Sequence, residues 1–127
     1  MKKVTLIRPD PEKLRNRRVT LDVDRCVELL RHELTFDGKL LDRYEIAGAD
    51  EKKAVVSVFQ RYYLRAGNAL ILTVTVDDLA GSTRVHWISG GGADSVLTDV
   101  DGGAADAFES DVSRILKPYE LKEAKED

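Results

Sequence analysis

The chain has 127 residues, 34% of them charged and 43% hydrophobic, with 20 Lys+Arg against 23 Asp+Glu for a formal net charge of -3. A chain of this size forms one domain around a single core and excludes two, and its composition is that of an ordinary soluble globular protein. The net charge argues against whole-surface attraction to nucleic acid or an anionic membrane, while leaving room for a local charged patch.

The charge is unevenly spread. Residues 1–31 carry nine basic and five acidic groups, whereas residues 92–127 carry four and ten. The organisation expected over residues 1–127 is therefore a basic N-terminal arm (1–21), a core (22–117) and a charged, mobile tail (118–127). The arm's Arg8, Lys13, Arg15, Arg17 and Arg18 suit an acidic partner or simple solvation. Cys26 is the only cysteine, so no intramolecular disulfide can form and a reducing cytoplasm is the expected compartment. Met1-Lys2-Lys3 imitates the start of a signal peptide, but the apolar stretch Val4–Ile7 is too short to continue one. No apolar run approaches the roughly 20 residues of a membrane-spanning helix.

Residues 3–7 have the composition of a first strand. Asp10-Pro11 suits a helix start, but a helix to about Arg18 would bury only Leu14, so it is short or absent. The first firm element is a helix from Asp22 to Thr35. Val23, Cys26, Val27, Leu30 and Leu34 fall on one stripe, Asp22 is the cap, and Asp37-Gly38 is the turn that follows. Cys26 accordingly reads as a small core residue rather than a reactive thiol.

A strand at 40–47 places Leu40, Tyr44 and Ile46 on one side. From Ala54 an alternating pattern puts Ala54, Val56, Val58, Tyr62 and Leu64 on the core face. Phe59, Arg61, Tyr63 and Arg65 then share the other face. A three-residue loop, Ala66-Gly67-Asn68, keeps these apolar residues aligned with Leu70, Leu72, Val74 and Val76 of the next strand. A four-residue connection, Leu79–Ser82, sets Val85 and Trp87 beside Val76 and Val74. After Gly90-Gly91-Gly92, residues 95–100 read as a short strand, followed by a helix over 103–117. That helix buries Ala104, Phe108, Val112, Ile115 and Leu116 and stops at Pro118. The order predicts an α+β domain of two layers: an antiparallel sheet of about five to six strands packed on N- and C-terminal helices, like a helix-grip or TATA-binding-protein-like fold.

Motifs of chemistry are few. Gly90-Gly91-Gly92-Ala93-Asp94-Ser95 nearly spells a dinucleotide fingerprint, but strand-like residues follow it where a helix must begin. The run reads as a tight bend, with an anion nest as the functional alternative. Asp99-Val100-Asp101-Gly102 has its glycine too early for a calcium loop. His32 and His86 stand far apart and no metal-binding spacing occurs; no metal, cofactor or catalytic set is implied.

Two surfaces remain. One is the second sheet face, which displays Arg61, Tyr63, Arg84 and His86 with Phe59, Ile71 and Ile88. Aromatics among cations suit a homodimer or protein interface, and nucleic acid less well given the net charge. The other is a small-ligand pocket between sheet and C-terminal helix, lined by Tyr44, Tyr62, Trp87 and Phe108, with Ser89, Gly90, Gly91 and Gly92 at its mouth. The first reading makes the protein a binding or interaction domain rather than an enzyme.

Arg61-Tyr62, Gly67-Asn68, Leu70-x-Leu72, Ile88-Ser89-x-Gly91-Gly92 and Ala107-Phe108 give residues 59–108 a resemblance to a small bacterial family catalogued only as a domain of unknown function. Gly90 and the basic arm depart from that pattern. The resemblance supports the strand order and supplies no catalytic residues.

Overall fold

The helix expected after Asp22 forms as the sequence pattern requires. α1 spans Val23–Leu34, and the Asp22 carboxylate accepts the Arg25 backbone N–H at 2.8 Å as its cap. All five stripe residues, Val23, Cys26, Val27, Leu30 and Leu34, are buried. The computed structural model describes residues 15–63, 67–91 and 99–122. Within them the remaining elements are β1 (Asn16–Val19), β2 (Lys39–Ala47), β3 (Lys53–Tyr63), β4 (Asn68–Asp77), β5 (Thr83–Gly90) and α2 (Asp99–Leu116).

The strands form one antiparallel five-stranded sheet in the order β1-β5-β4-β3-β2. Both helices lie on the same face and touch each other; α1 crosses β3 and β4, and α2 crosses β5 and β4. This is a two-layer α+β domain. The core joins Val55 and Phe59 of β3, Leu70, Leu72, Val74 and Val76 of β4, and Val85 and Trp87 of β5 to the apolar stripes of both helices. Phe108, Val112, Ile115 and Leu116 supply the stripe of α2, as expected; the side chain of Ala104 lies outside the described residues.

The β4–β5 register matches the sequence reading, with Val76 opposite Val85 and Val74 opposite Trp87. The β3–β4 register does not. Tyr63 pairs with Asn68 and Phe59 with Leu72, so odd positions of β3 oppose even positions of β4. The three-residue loop Ala66-Gly67-Asn68 is therefore incorrect, and the faces of β3 are exchanged. Val55, Ser57, Phe59 and Arg61 turn toward the helices, while Val56, Val58 and Tyr62 turn away. Apolar residues occupy both faces of β3, so period-two alternation could not choose between them. What decides is the fit of Val55 and Phe59 to the core, together with acidic partners for Arg61 that come from elsewhere in the chain.

The ends of the chain also differ from expectation. Residues 16–19, assigned to a basic arm, form the edge strand β1, and the strand expected at 3–7 lies outside the described residues. Part of the presumed mobile tail is tied down. Lys117–Tyr119 form a 3-10 turn, Thr20 N–H donates to Tyr119 O at 2.8 Å, and Leu121 N–H donates to Arg18 O at 2.7 Å. A bridge between Val19 and Glu120 completes this addition to β1. Of the strand expected at 95–100, residues 95–98 lie outside the described residues, while 99 and 100 already belong to α2.

One glycine is required by close approach. Between α1 and β2 the backbone at Gly38 runs against β3, so that a Cβ there would stand 2.7 Å from the Gln60 carbonyl oxygen and 3.0 Å from that of Leu34. Backbone atoms cannot yield as a flexible side chain would, so no larger residue fits this turn.

Cys26 is fully buried on α1. Burial pushes its thiol up from 9.0 to about 12, with the Asp22 carboxylate adding a smaller push in the same direction. In the folded chain the thiol keeps its proton through a range where the unfolded chain releases it. Unfolding therefore releases a proton as pH rises from 9.0 toward about 12, and stability falls across that window. The expected slope is at most about 1.4 kcal/mol per pH unit. Denaturation series at alkaline pH should show it for the natural chain and lose it for Cys26→Ala. At mildly alkaline pH a thiol reagent should modify Cys26 only after denaturant is added.

Candidate functional site

The sheet face opposite the helices carries an apolar surface that none of the described elements covers. Its composition follows from the strand register. In the order β2, β3, β4, β5, β1, three rows cross this face: Ile46–Ala54–Asp77–Arg84–Arg18, Tyr44–Val56–Thr75–His86–Asn16, and Asp42–Val58–Thr73–Ile88. Beyond them stand Lys39–Gln60–Ile71–Gly90 and Tyr62–Ala69. Tyr44 is 61% exposed, Tyr62 59%, Ile88 50% and Ile46 46%, so the face is wet and not merely a second core. An antiparallel sheet can present one face to water, but that face then usually alternates polar. Here Tyr44, Val56, Val58, Ile71 and Ile88 instead run through adjoining rows.

Charge at this face lies on both flanks and, at Asp77, on the central strand β4. Arg18, Arg84 and His86 lie on the β1/β5 side, with Arg84 Nη2 2.9 Å from Asp77 Oδ1. On the β2 side Asp42 stands opposite Val58 and Lys39 opposite Gln60, so that flank carries both signs.

Several residues expected to act together are separated by the sheet. Arg84, His86 and Ile88 are on the outer face as predicted. Phe59 and Arg61 are not: both are buried beneath the helices. Tyr63 ends β3, and its side chain lies outside the described residues. Removing Phe59 and Arg61 from the outer face takes away much of the aromatic-and-cation pattern that suited nucleic acid. Conversely Ile46, Val56 and Val58 join this face. The signal for Val56 and Val58 was present in the even-numbered apolar positions of β3, but it was assigned to the core.

The pocket reading is corrected by the same register. Tyr44 and Tyr62 occupy the outer face, whereas Trp87 and Phe108 lie between sheet and helices at 1% and 0% exposure. The four therefore do not line one cavity. A cleft of about 370 Å³ does open elsewhere, between the C-terminal end of α1 and α2, bordered by Phe36, Asp37, Arg61, Asp111 and Arg114.

Arg61 is the centre of that second region, and the charge there is committed to holding the fold. Its Nη1 donates to Asp111 Oδ2 at 2.6 Å, and its Nη2 lies 3.0 Å from Asp37 Oδ1. The guanidinium also sits 4.3 Å from the centroid of the Phe108 ring. A buried arginine is tolerable when it is paired on several sides, and this one joins β3, α2 and the turn after α1.

Ser89, expected at a pocket mouth, is likewise engaged. Its Oγ donates to Glu109 Oε2 at 2.7 Å and its backbone N–H donates to the same oxygen at 3.0 Å. Arg15 Nε donates to Glu109 Oε1 at 2.8 Å, and Trp87 N–H donates to the Arg15 carbonyl at 2.9 Å. One carboxylate thus fastens α2 to the end of β5 and to the residue preceding β1. Gly90 ends β5 with nothing within 4 Å of where a Cβ would be, and Gly91 takes φ 99°, the left-handed region that favours glycine. Gly92 lies outside the described residues.

No helix among the described residues is long and apolar enough to cross a membrane. Residues 15–120 match the model of a family described as a family of unknown function (DUF6054), a wider span than the resemblance over 59–108. Neither a curated protein nor a solved structure matches the chain. The two-layer α+β architecture accordingly rests on the chain's own geometry, with no helix-grip or TATA-binding-protein relative beside it.

Proposed function

The chain belongs to this family of unknown function, whose description brings no activity with it, and we propose that the protein is an interaction domain that associates with a second copy of itself through its outer sheet face. The observation that carries the reading is the apolar path through Ile46, Tyr44, Val56, Val58, Ile71 and Ile88, exposed at Ile46, Tyr44 and Ile88 and half-buried between them. Surfaces of this kind, rimmed by polar residues, mark interaction sites. Two-fold pairing is the commonest symmetry of soluble assemblies, and it asks only that one patch complement itself. This one does. Stacking two copies about an axis that runs parallel to β4 and above it sets Ile88 of one against Val58 of the other, because the two share a row on either side of β4. The lone, buried thiol of Cys26 suits a reducing compartment, and the reading takes the cytoplasm as the place of action.

Light scattering at tens of micromolar tests the proposal. The natural chain should run above its monomer mass. Ile88→Glu should weaken the stacked contact by about a hundredfold or more, because it buries a carboxylate without a partner. Ile88 is half exposed in the monomer, so the variant should keep its fold and its circular dichroism spectrum. A clean monomer for the natural chain at that concentration would overturn self-association.

A further inference from the structure

The two edges of the sheet are treated differently. At β1 the C-terminal residues 119–121 pair with the edge through Tyr119 O and Leu121 N–H. At β2, the last strand on the other side, no described element adds a further strand. An edge of this kind leaves every second residue's N–H and C=O pointing away from the sheet, which is a template for another strand. An irregularity between Leu40 and Asp42 interrupts the β2–β3 register, so the regular part of the edge is residues 42–47. All of these residues are exposed.

We propose that β2 pairs antiparallel with β2 of a second copy about a two-fold axis at Tyr44, joining two five-stranded sheets edge to edge. The symmetry restricts the register sharply. An antiparallel pair related by a two-fold places both helical layers on one side of the joined sheet, so facing residues must share the same face and the axis must pass through a residue. An axis at Asp42 sets Asp against Asp, at Arg43 Arg against Arg, and at Glu45 Glu against Glu. An axis at Tyr44 instead sets Arg43 against Glu45 twice, Asp42 against Ile46 twice, and Tyr44 against Tyr44. Opposite charges and aromatic pairs across strands are the favourable combinations, and like charges directly opposite are not.

The side chains stand ready for this exchange. Arg43 Nη2 lies 3.4 Å from Glu45 Oε1 within one chain, and both are about 45% exposed. Lys53 Nζ also reaches Glu45 at 3.7 Å and Asp24 at 2.7 Å, so the carboxylate belongs to a local network on the helix side of β2. Re-pairing across the two-fold needs only a swing of side chains already at the surface. The pairing leaves both outer faces accessible, so it does not compete with stacking through Ile88.

Register-specific cross-linking tests the proposal directly. Under mild oxidation Tyr44→Cys should yield a covalent dimer, because the position meets its own copy across the axis. Asp42→Cys and Ile46→Cys singly should yield little, and the two combined should cross-link. Cys26 is buried and its thiol is pushed up, so it does not compete. In the uncross-linked chain, Arg43→Glu should weaken the edge contact by about tenfold or more, and adding Glu45→Arg should restore it. Cross-linking of Tyr44→Cys should persist in an Ile88→Glu background, which separates this contact from the stacked face. Absence of the Tyr44→Cys dimer, equal cross-linking from Asp42→Cys, or no recovery in the charge-exchanged double variant would each overturn it.

Discussion

Replacing Asp111 by alanine should destabilise the protein by about 3 kcal/mol, toward the lower end of the range for breaking a buried ion pair by removing one partner. The effect is large because of what remains. Arg61 is 7% exposed and its guanidinium cannot shed its charge, so losing the 2.6 Å partner leaves a cation short of compensation inside the domain. Asp37, 3.0 Å away, remains and limits the loss. At about 3–6 °C per kcal/mol for a domain of this size, Tm should fall by about 9–18 °C. Arg61→Met should cost less than Asp111→Ala, since the carboxylates it abandons reach solvent, with Asp37 at 68% and Asp111 at 31% side-chain exposure. Arg61→Lys should not substitute, because an ammonium lacks the planar fork that engages Asp111, Asp37 and the Phe108 ring together. Denaturant unfolding of the three variants checks the order; an Asp111→Ala chain as stable as the natural one would show that this cluster is not structural.

Phe108→Ala should cost about 3–5 kcal/mol, the largest effect of any single truncation considered. The ring is fully buried on α2, and its removal leaves a void in the layer between sheet and helices. It also deprives Arg61 of the aromatic surface 4.3 Å from its guanidinium. The two losses can be separated. A double-mutant cycle of Phe108→Ala with Arg61→Met should give a coupling of about 0.5–2 kcal/mol, as a largely desolvated cation–π contact requires. Unfolding midpoints at unchanged denaturant dependence measure it, and additivity within error would mean the ring contributes packing alone.

Much of the architecture was legible from local pattern. α1 combined a helical stripe with a capping aspartate, and both were realised. The β4–β5 pairing was legible too, because Leu72, Val74 and Val76 alternate with polar residues and the turn between the strands is short. β3 was not, since it carries apolar residues on both faces and an arginine on the inner one. An inward arginine looks wrong in isolation. It becomes acceptable only when Asp37 and Asp111, 24 and 50 positions away in the sequence, arrive beside it. β1 was missed for a related reason: Asn16-Arg17-Arg18-Val19 has the composition of a solvated arm. It becomes a strand through pairing with β5, helped by Arg17 Nη2 donating to Ser113 Oγ at 2.8 Å and by the backbone bonds to residues 119–121.

The candidate surface inherits that difference. Ile88, Arg84 and His86 were correctly placed on the outer face because their strand has one unambiguous apolar side. Phe59 and Arg61 were misplaced, and Val56 and Val58 overlooked, through one error of register. The triple glycine, prominent in the sequence, reduces to a strand end and a left-handed residue at Gly91 within the described chain.

Taken by itself, the sequence determined the class of fold, the helix of residues 23–34, the α2 stripe from Phe108 to Leu116, the pairing of β4 with β5 and the inert character of Cys26. Each depends on neighbours within a few residues or on simple periodicity. Tertiary structure alone decided which face of β3 meets the core, that among the described residues the sheet begins at β1 and ends at β2, and where the apolar outer surface lies. Those features depend on strand register and on charge pairs formed between distant residues, and a one-residue slip in register moves every side chain to the opposite face.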